Sequence, residues 1–331
     1  MDDHVNENKP TAPHQSALAI DCASEADRIG AFIVATLRKL NRRGCVLGVS
    51  GGVDSAVCAH LAARAVGSDR VLALLMPERD STKEAGARAR RLCDSLGIPH
   101  VEEDITDPLE AIGCYRRRDE AIRKQFPDYG AGWRQKIAIV AGKTWMPQFN
   151  LIVQSPDGQI FERRLPVDAY LQIVAATNFK QRLRKSMEYY HAERLNYGVL
   201  GTPNKLEYDL GFFVRGGDGL ADFKPIAHLY KTQVYALAEH LGVPDEIRRE
   251  PPSTDTYSLT QSQEEFYFAL SWSDADRVLH GMSEKLSAAE IAIAVGRDRS
   301  TVARAIQEFQ GKRRAASRAL AQAYVLGGGA S

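Results

Sequence analysis

The chain has no run of about 18 consecutive apolar residues, the length that crosses a bilayer, and its first residues are polar. Neither a membrane span nor a signal peptide is therefore expected. Only five of the 331 residues are cysteine, without CxxC or zinc-binding spacing. This usage favours buried free thiols in a reducing compartment. The net charge of +1 adds no bulk field, so the sequence predicts a cytoplasmic protein without nucleic-acid or membrane partners.

The chain also lacks the lysine-containing GxxxxGK[ST] loop of Walker proteins, but it has a different glycine-rich junction. An apolar run ends in Ser50-Gly51-Gly52-Val53-Asp54-Ser55, and a helical pattern follows at once. Glycine N–H groups at the start of a helix form an anion site, to which Ser50 and Ser55 add hydroxyl donors. The carboxylate of Asp54 beside an anion makes sense if a divalent cation bridges the two. The string predicts a phosphate-binding loop rather than an ordinary glycine turn.

Strands and helices alternate regularly around this loop. Apolar runs predict buried strands over 45–49, 70–77 and 99–105, with helices before and between them. This order predicts an α/β fold with a doubly wound parallel sheet. Ligands of such sheets bind beyond the carboxyl ends of the strands, where the loop at 50–55 lies.

Composition divides the chain into a polar tail at 1–16 that is expected to be disordered, a main domain at 17–275 and a C-terminal helical segment at 276–331. Residues 113–166 interrupt the main domain as an insertion, and Ser155-Pro156-Asp157-Gly158 predicts the turn of a hairpin within it. Residues 287–308 have a helix–turn–helix pattern. A packed helical hairpin is predicted there, because no basic stripe provides a DNA footprint.

The string at 50–55 resembles the pyrophosphate-binding loop of the N-type ATP pyrophosphatases, the PP-loop superfamily. Further motifs narrow the resemblance to NAD synthases of the ammonia-dependent type. In order along the chain, they are Asn178 with Arg182 and Arg184, Leu195-Asn196-Tyr197, Gly201-Thr202, Gly217-Asp218-Gly219-Leu220-Ala221-Asp222, Leu229-Tyr230-Lys231 and Pro251-Pro252-Ser253-Thr254-Asp255. The similarity extends over most of 17–110 and 168–275.

The resemblance implies a ligase that converts deamido-NAD, ATP and ammonia to NAD, AMP and pyrophosphate through an acyl-adenylate. It also implies a homodimer and, where glutamine is the nitrogen source, a separate glutaminase. Asp54 and Lys231 are the implied catalytic residues. The implied ligand contacts are 50–55, Thr202, Lys231 and Ser253 for ATP, Asp54 and Glu207 for Mg²⁺, and Arg182, Arg215, Asp222 and Lys312 for deamido-NAD.

Departures from the family leave an alternative open. Pro203, Leu206 and Lys185 stand where the family usually has Gly, Ser and Met. A paralogue that amidates a different carboxylate by the same adenylation is therefore the second hypothesis. An RNA-thiolating pyrophosphatase would need paired reactive cysteines and a basic region, neither of which is evident. The remaining hypothesis is a DNA-binding regulator that uses 287–308.

Overall fold

The computed structural model describes residues 18–140, 148–251, 256–262, 267, 270–323 and 325–326. The tail predicted at 1–16 and the predicted ATP contact Ser253 lie outside the described residues. The strands are β1 Cys45–Gly48, β2 Val71–Leu75, β3 His100–Glu102, β4 Arg134–Val140, β5 Gln148–Gln154, β6 Ile160–Arg164 and β7 Gly198–Val199. The helices are α1 Cys22–Lys39, α2 Val53–Val66, α3 Lys83–Leu96, α4 Thr106–Ala111, α5 Cys114–Arg123, α6 Val167–Leu195, α7 Lys205–Leu210, α8 Lys231–His240, α9 Asp245–Arg248, α10 Trp272–Ser283, α11 Ala288–Val295 and α12 Arg299–Leu320.

A parallel sheet forms the centre of the molecule. Within the described residues its strand order is β3-β2-β1-β7, and Cys45 of β1 pairs with both Val71 and Gly198. Apolar side chains on one face pack against α1, α2, α3 and α8. Those on the other face, including Val46 and Leu72, pack against α6. Helices therefore cover both faces, and the predicted doubly wound α/β fold is confirmed.

An antiparallel sheet, β4-β5-β6, lies beside the parallel one. The predicted hairpin is confirmed, since Gln154 pairs with Ile160 across a turn in which Gly158 has φ +89°. Strand β4 was not predicted, because the polar residues at its beginning hide its pattern; its Gln135 is nevertheless fully buried. The sheet packs on α5 and α6 through an apolar cluster that includes Ile137 and Leu151.

The C-terminal helices share one apolar core with α7. Leu279 of α10, Ile291 of α11 and Phe309 of α12 are all fully buried there. The packed hairpin predicted over 287–308 is thus present, although α12 continues to Leu320. The boundary expected between 275 and 276 falls inside α10, whose N-cap is Ser271. No helix in the described part of the chain is long and apolar enough to cross a membrane.

Candidate active site

The glycine-rich loop connects the carboxyl end of β1 to the first turn of α2. Ser55 Oγ donates to the carbonyl of Gly52 at 3.0 Å and accepts from the N–H of Ser50 at 3.3 Å. Gly51 has φ +81°, and a Cβ there would lie 2.5 Å from the carbonyl oxygen of Ala85, so only glycine fits. The N-cap of α2 is Gly52, which offers no side-chain cap. The first N–H groups of the helix thus face the loop, as an anion site requires.

Asp54 and Lys231 meet beside this loop, although 177 residues separate them. Asp54 Oδ2 pairs with Lys231 Nζ, and Asp54 Oδ1 accepts from Asn204 Nδ2 at 3.1 Å. Lys231 is 2% exposed. Burial alone would lower the pKa of Lys231, but the carboxylates of Asp54 and Glu207 more than reverse this, so its pKa lies above the ordinary value. The structure therefore keeps a buried cation at the mouth of the loop.

Asn204 links both predicted metal ligands. Its side chain donates to Asp54, and Glu207 Oε2 accepts from the N–H of Asn204 at 3.1 Å in the capping box of α7. The described residues contain no group of three or more His, Cys, Asp or Glu placed to hold a metal. Two carboxylates fit Mg²⁺ that is bound together with phosphate oxygens and water, since Mg²⁺ rarely uses an all-protein cage.

A cleft of about 1140 Å³ extends from the loop along α6 to the antiparallel sheet. It is lined by 50–55, Thr202, Glu207, Lys231 and Lys312. Their contacts with ATP, metal and substrate stay predictions. Its further walls include Glu78, Asp80, Arg134, Phe149, Tyr170, Arg184, Lys185, Glu188 and Asp218 as well as 256–261. The cleft is therefore longer than a phosphate site alone would need.

The other predicted substrate residues do not join this cleft among the described residues. Arg182 Nε donates to the carbonyl of Arg215 at 3.2 Å. Asp222 accepts from the N–H of Val199 at 2.8 Å and from the hydroxyl of Tyr189 at 3.3 Å. Asp222 thus holds the backbone at the last residue of β7 by a hydrogen bond. The assignment of these three residues to deamido-NAD stays a prediction.

Lys312 lies on α12 and reaches the cleft over an aromatic ring. Its Nζ is 4.1 Å from the ring centroid of Tyr267, donates to the carbonyl of that residue and pairs with Glu308. Burial lowers the pKa of Lys312, and Glu308 offsets only part of the effect. Lys312 is therefore not an ordinary solvated charge on the surface of α12.

Sequence reasoning missed a buried ion network at the end of β2. Lys180 Nζ lies 2.8 Å from Glu78 Oε1, from Asp80 Oδ2 and from the carbonyl oxygen of Thr256. Arg118 adds a second cation, 2.6 Å from Asp80 Oδ2. The sequence could have indicated this network, because Glu78 and Asp80 follow a buried parallel strand, and polar residues at that position lie at the ligand-binding edge of the sheet.

A second missed pair, Lys185 and Glu188, lies on the α6 side of the cleft. The two side chains are 2.5 Å apart at their charged atoms, and both are nearly buried. Burial raises the pKa of Glu188, although Lys185 offsets part of the effect. A Cβ on Gly48 would lie 3.1 Å from Glu188 Oε1, so the end of β1 approaches α6 closely. The sequence could have indicated this pair, because residues three apart on a helix lie on the same face.

The sequence comparisons with known proteins agree on one family, and solved structures have the same fold. The family model described as NAD synthase matches residues 25–128 and 148–316. The NH(3)-dependent NAD(+) synthetase of Rhizobium meliloti (strain 1021) is 54% identical over 301 residues, which cover 90% of each chain. The solved structure of an NH3-dependent NAD synthetase from Campylobacter jejuni has TM-score 0.62 at 24% identity and covers 93% of this chain and 100% of its own. An NMN synthetase structure from Francisella tularensis has TM-score 0.65 at 21% identity and covers 93% and 99%.

Proposed function

This chain belongs to the NAD synthase family, and from that premise we propose that it joins ammonia to the carboxylate of deamido-NAD at the expense of ATP. The observation that carries the proposal is the pair of the buried Lys231 and the partly buried Asp54 at the anion loop at 50–55. The pair places a cation and a carboxylate where the phosphates of ATP would lie. A relative 54% identical over 90% of the chain favours deamido-NAD as the acid.

In the first step, an oxygen of the substrate carboxylate attacks the α-phosphorus of ATP. The bond from this phosphorus to the bridging oxygen breaks, pyrophosphate leaves, and an acyl-adenylate remains. Negative charge accumulates on the departing phosphates. The N–H groups at the start of α2 and the ammonium group of Lys231 stabilise this charge, because they are already oriented before the reaction.

Asp54 and Glu207 would hold Mg²⁺ between the protein and the phosphates. The ion supplies further neutralisation of the leaving pyrophosphate when it is bound. Asn204 contacts both carboxylates and keeps them on the same side of the loop. We infer that Thr202, which lines the cleft, and Ser253 complete the ATP contacts.

In the second step, the nitrogen of ammonia attacks the activated carbonyl carbon, AMP leaves, and one proton is lost. The acyl-adenylate would hydrolyse in an open site, so water must be excluded. Aromatic residues that line the cleft, including Phe149 and Tyr170 with ring centroids 4.3 Å apart, suit this requirement. Arg182, Arg215, Asp222 and Lys312 are proposed to orient the acid.

We propose that two copies of the chain associate through α6. Val167 and Leu171 lie on its first two turns and are 74% and 58% exposed, which is unusual for large apolar side chains in one stretch. A homodimer measured by light scattering at micromolar concentration is the expected result, and a monomer that persists there contradicts it. A cytoplasmic location is proposed because all five thiols are free.

The test is pyrophosphate release by the purified protein with ATP, Mg²⁺ and ammonia across several acids. We expect deamido-NAD to give pyrophosphate, AMP and NAD in equal amounts. The mononucleotide half of deamido-NAD, aspartate and glutamate form the comparison arms. A higher kcat/KM with one of these acids would mean that this acid, and not deamido-NAD, is the substrate. No turnover with any acid would contradict the assignment of ligase activity.

A further inference from the structure

Helix α10 lies against the beginning of helix α8. Trp272 stacks on Tyr235 with ring centroids 5.1 Å apart, and His280 meets Tyr230 edge-on at 5.7 Å. Asp276 stands between these two contacts along α10 and is 0% exposed. The packing therefore presents a buried carboxylate of the C-terminal helices to the first turn of α8.

The carboxylate of Asp276 caps this first turn. Its Oδ1 accepts from the N–H of Lys231 at 3.2 Å, and its Oδ2 accepts from the N–H and the hydroxyl of Thr232, each at 2.7 Å. The first N–H groups of a helix have no acceptor within the helix, and negative charge is favoured at this end. Because the cap comes from another helix, it fixes where α8 begins relative to α10.

We propose that Asp276 is a positioning residue that acts through Lys231. Asp276 holds the backbone nitrogen of Lys231, while the Nζ of the same residue pairs with Asp54 beside the loop at 50–55. These two attachments direct the ammonium group at the phosphates that the loop binds. The inference rests on the proposed function, which assigns Lys231 to the phosphates of ATP.

A helix cap alone does not require a buried carboxylate. Serine and threonine cap helices comparably well, and a buried charge is costly unless it is paired. Burial raises the pKa of Asp276 to about 6, although its hydrogen bonds from Thr232 and Lys231 oppose the shift. Here the carboxylate accepts three hydrogen bonds, from the N–H groups of Lys231 and Thr232 and from the hydroxyl of Thr232, and its two oxygens hold two successive residues of α8 at once, which a single hydroxyl oxygen would not do.

Asp274 provides a matched control on the same helix. It is 4% exposed and lies 2.8 Å from the guanidinium nitrogens of Arg277 and Arg297. Arg277 lies on α10 and Arg297 in the turn between α11 and α12, so Asp274→Asn perturbs the same C-terminal segment without removing the cap of α8. A loss of activity that Asp276→Asn shows and Asp274→Asn does not is then due to the removed cap of α8.

The experiment is a double-mutant cycle between Asp276→Asn and Lys231→Arg, with Asp274→Asn measured in parallel. We expect Asp276→Asn to lower kcat/KM for ATP about tenfold or more, mainly in kcat, because the charge on pyrophosphate develops in the transition state. Asp274→Asn should lower Tm but change kcat/KM for ATP less than about twofold. In the Lys231→Arg background, Asp276→Asn should cost less than about threefold, since the group it positions is already altered.

Equal losses for the two aspartate variants, or losses that multiply in the double variant, would make Asp276 a structural residue only. If Asp276→Asn does not fold, Thr232→Ala removes one donor to the same carboxylate and should show the same coupling to Lys231. The rise of Tm on adding Mg-ATP needs no acid substrate, and it should shrink in Asp276→Asn but not in Asp274→Asn. This readout decides the role of Asp276 even if deamido-NAD proves to be the wrong acid.

Discussion

Lys231 begins helix α8, a position from which a lysine ordinarily extends into solvent, yet it is 2% exposed. Taken alone, its place in the sequence predicts a solvated charge. Its buried environment follows from Asp54 on α2 and Asp276 on α10, which bind its two ends. The chemistry of this residue therefore depends on partners from distant parts of the chain.

Replacement of Asp54 by Asn is expected to abolish pyrophosphate release and leave the fold intact. The substitution removes the negative charge that faces Lys231 and one of the two carboxylates proposed for Mg²⁺. The measurement is pyrophosphate release at saturating Mg²⁺, with circular dichroism as the check on folding. Asp27→Asn serves as the control, because Asp27 is 70% exposed and pairs only with Arg64 among the described residues. Undiminished turnover of the Asp54 variant would end its assignment.

Replacement of Lys231 by Ala is expected to raise the barrier by about 2–4 kcal/mol in kcat/KM for ATP, as loss of one preorganised donor does. Lys205→Ala is the matched control. Lys205 also begins a short helix, but its Nζ lies 2.9 Å from Asp209 Oδ2, and Lys205 does not line the cleft. A change smaller than about threefold at Lys231 would assign it to packing rather than to phosphate binding.

At the scale of elements, the cleft is assembled by loops that α6 and β4 hold in place. Lys180 of α6 binds the loop after β2 and the carbonyl oxygen of Thr256. Strand β4 binds the same segment further along, since Gln135 accepts from the N–H of Leu259 at 3.0 Å and donates its own N–H to Ser258 Oγ at 2.8 Å. We propose that β4, which lies in a stretch that the family model leaves unmatched, serves to hold this wall.

Lys180→Met is expected to lower the free energy of unfolding by about 3–5 kcal/mol, because Glu78 and Asp80 would lose a buried partner. Denaturant unfolding measures this loss, and Lys39→Met, at an exposed position of α1, is the control. Burial alone would raise the pKa of Asp80, but Lys180 and Arg118 more than offset it, so its pKa lies below the ordinary value.

A depressed pKa stabilises the fold above the ordinary pKa of the carboxyl group, and this contribution is lost as pH falls. The difference between wild type and Lys180→Met should therefore narrow below about pH 4, where Asp80 becomes protonated. A difference that is constant from pH 7 to pH 3 would contradict the ion network as its source.

The C-terminal helices form a further structural element of the chain. We propose that this segment begins at Ser271, the N-cap of α10.

For the whole molecule, the state of the cysteines bears on the nitrogen source. A glutaminase needs a cysteine nucleophile with a lowered pKa. Burial instead raises the pKa of Cys45 to about 12 and those of Cys93 and Cys114 to about 11. It also raises the pKa of Cys22 and Cys58. We therefore propose that free ammonia, and not glutamine, is the nitrogen source that this chain uses alone.

The apparent KM for total ammonium is expected to fall as pH rises towards about 9, because neutral ammonia is the nucleophile. The measurement is initial velocity against ammonium concentration at several pH values with saturating ATP and acid. Glutamine should not replace ammonium unless a separate amidase is added. Efficient turnover with glutamine, in buffers freed of ammonium, would contradict this expectation.

The sequence by itself determined the alternation of strands and helices, the glycine-rich loop between β1 and α2 and, for α3, where a helix begins and ends. These features depend on local pattern: the loop string marks the end of β1, Thr82 caps α3, and Gly97 ends it in the left-handed conformation. The order of separated motifs also identified the family. No local pattern predicted β4, because it begins with polar residues and the residues that bind its buried Gln135, such as Ser258, lie far away in the chain.

Only the tertiary structure decided which charged residues lie together. It brought Asp54, Asn204, Glu207 and Lys231 to one side of the loop, whereas Arg182 and Asp222 lie outside the described cleft. Parallel strands place the ends of distant segments at the same edge of the sheet, so a site is built from residues without any sequence proximity. Burial and charged partners together then shift the pKa of each group, as at Lys231 and Asp276, and both become known only when the chain is packed.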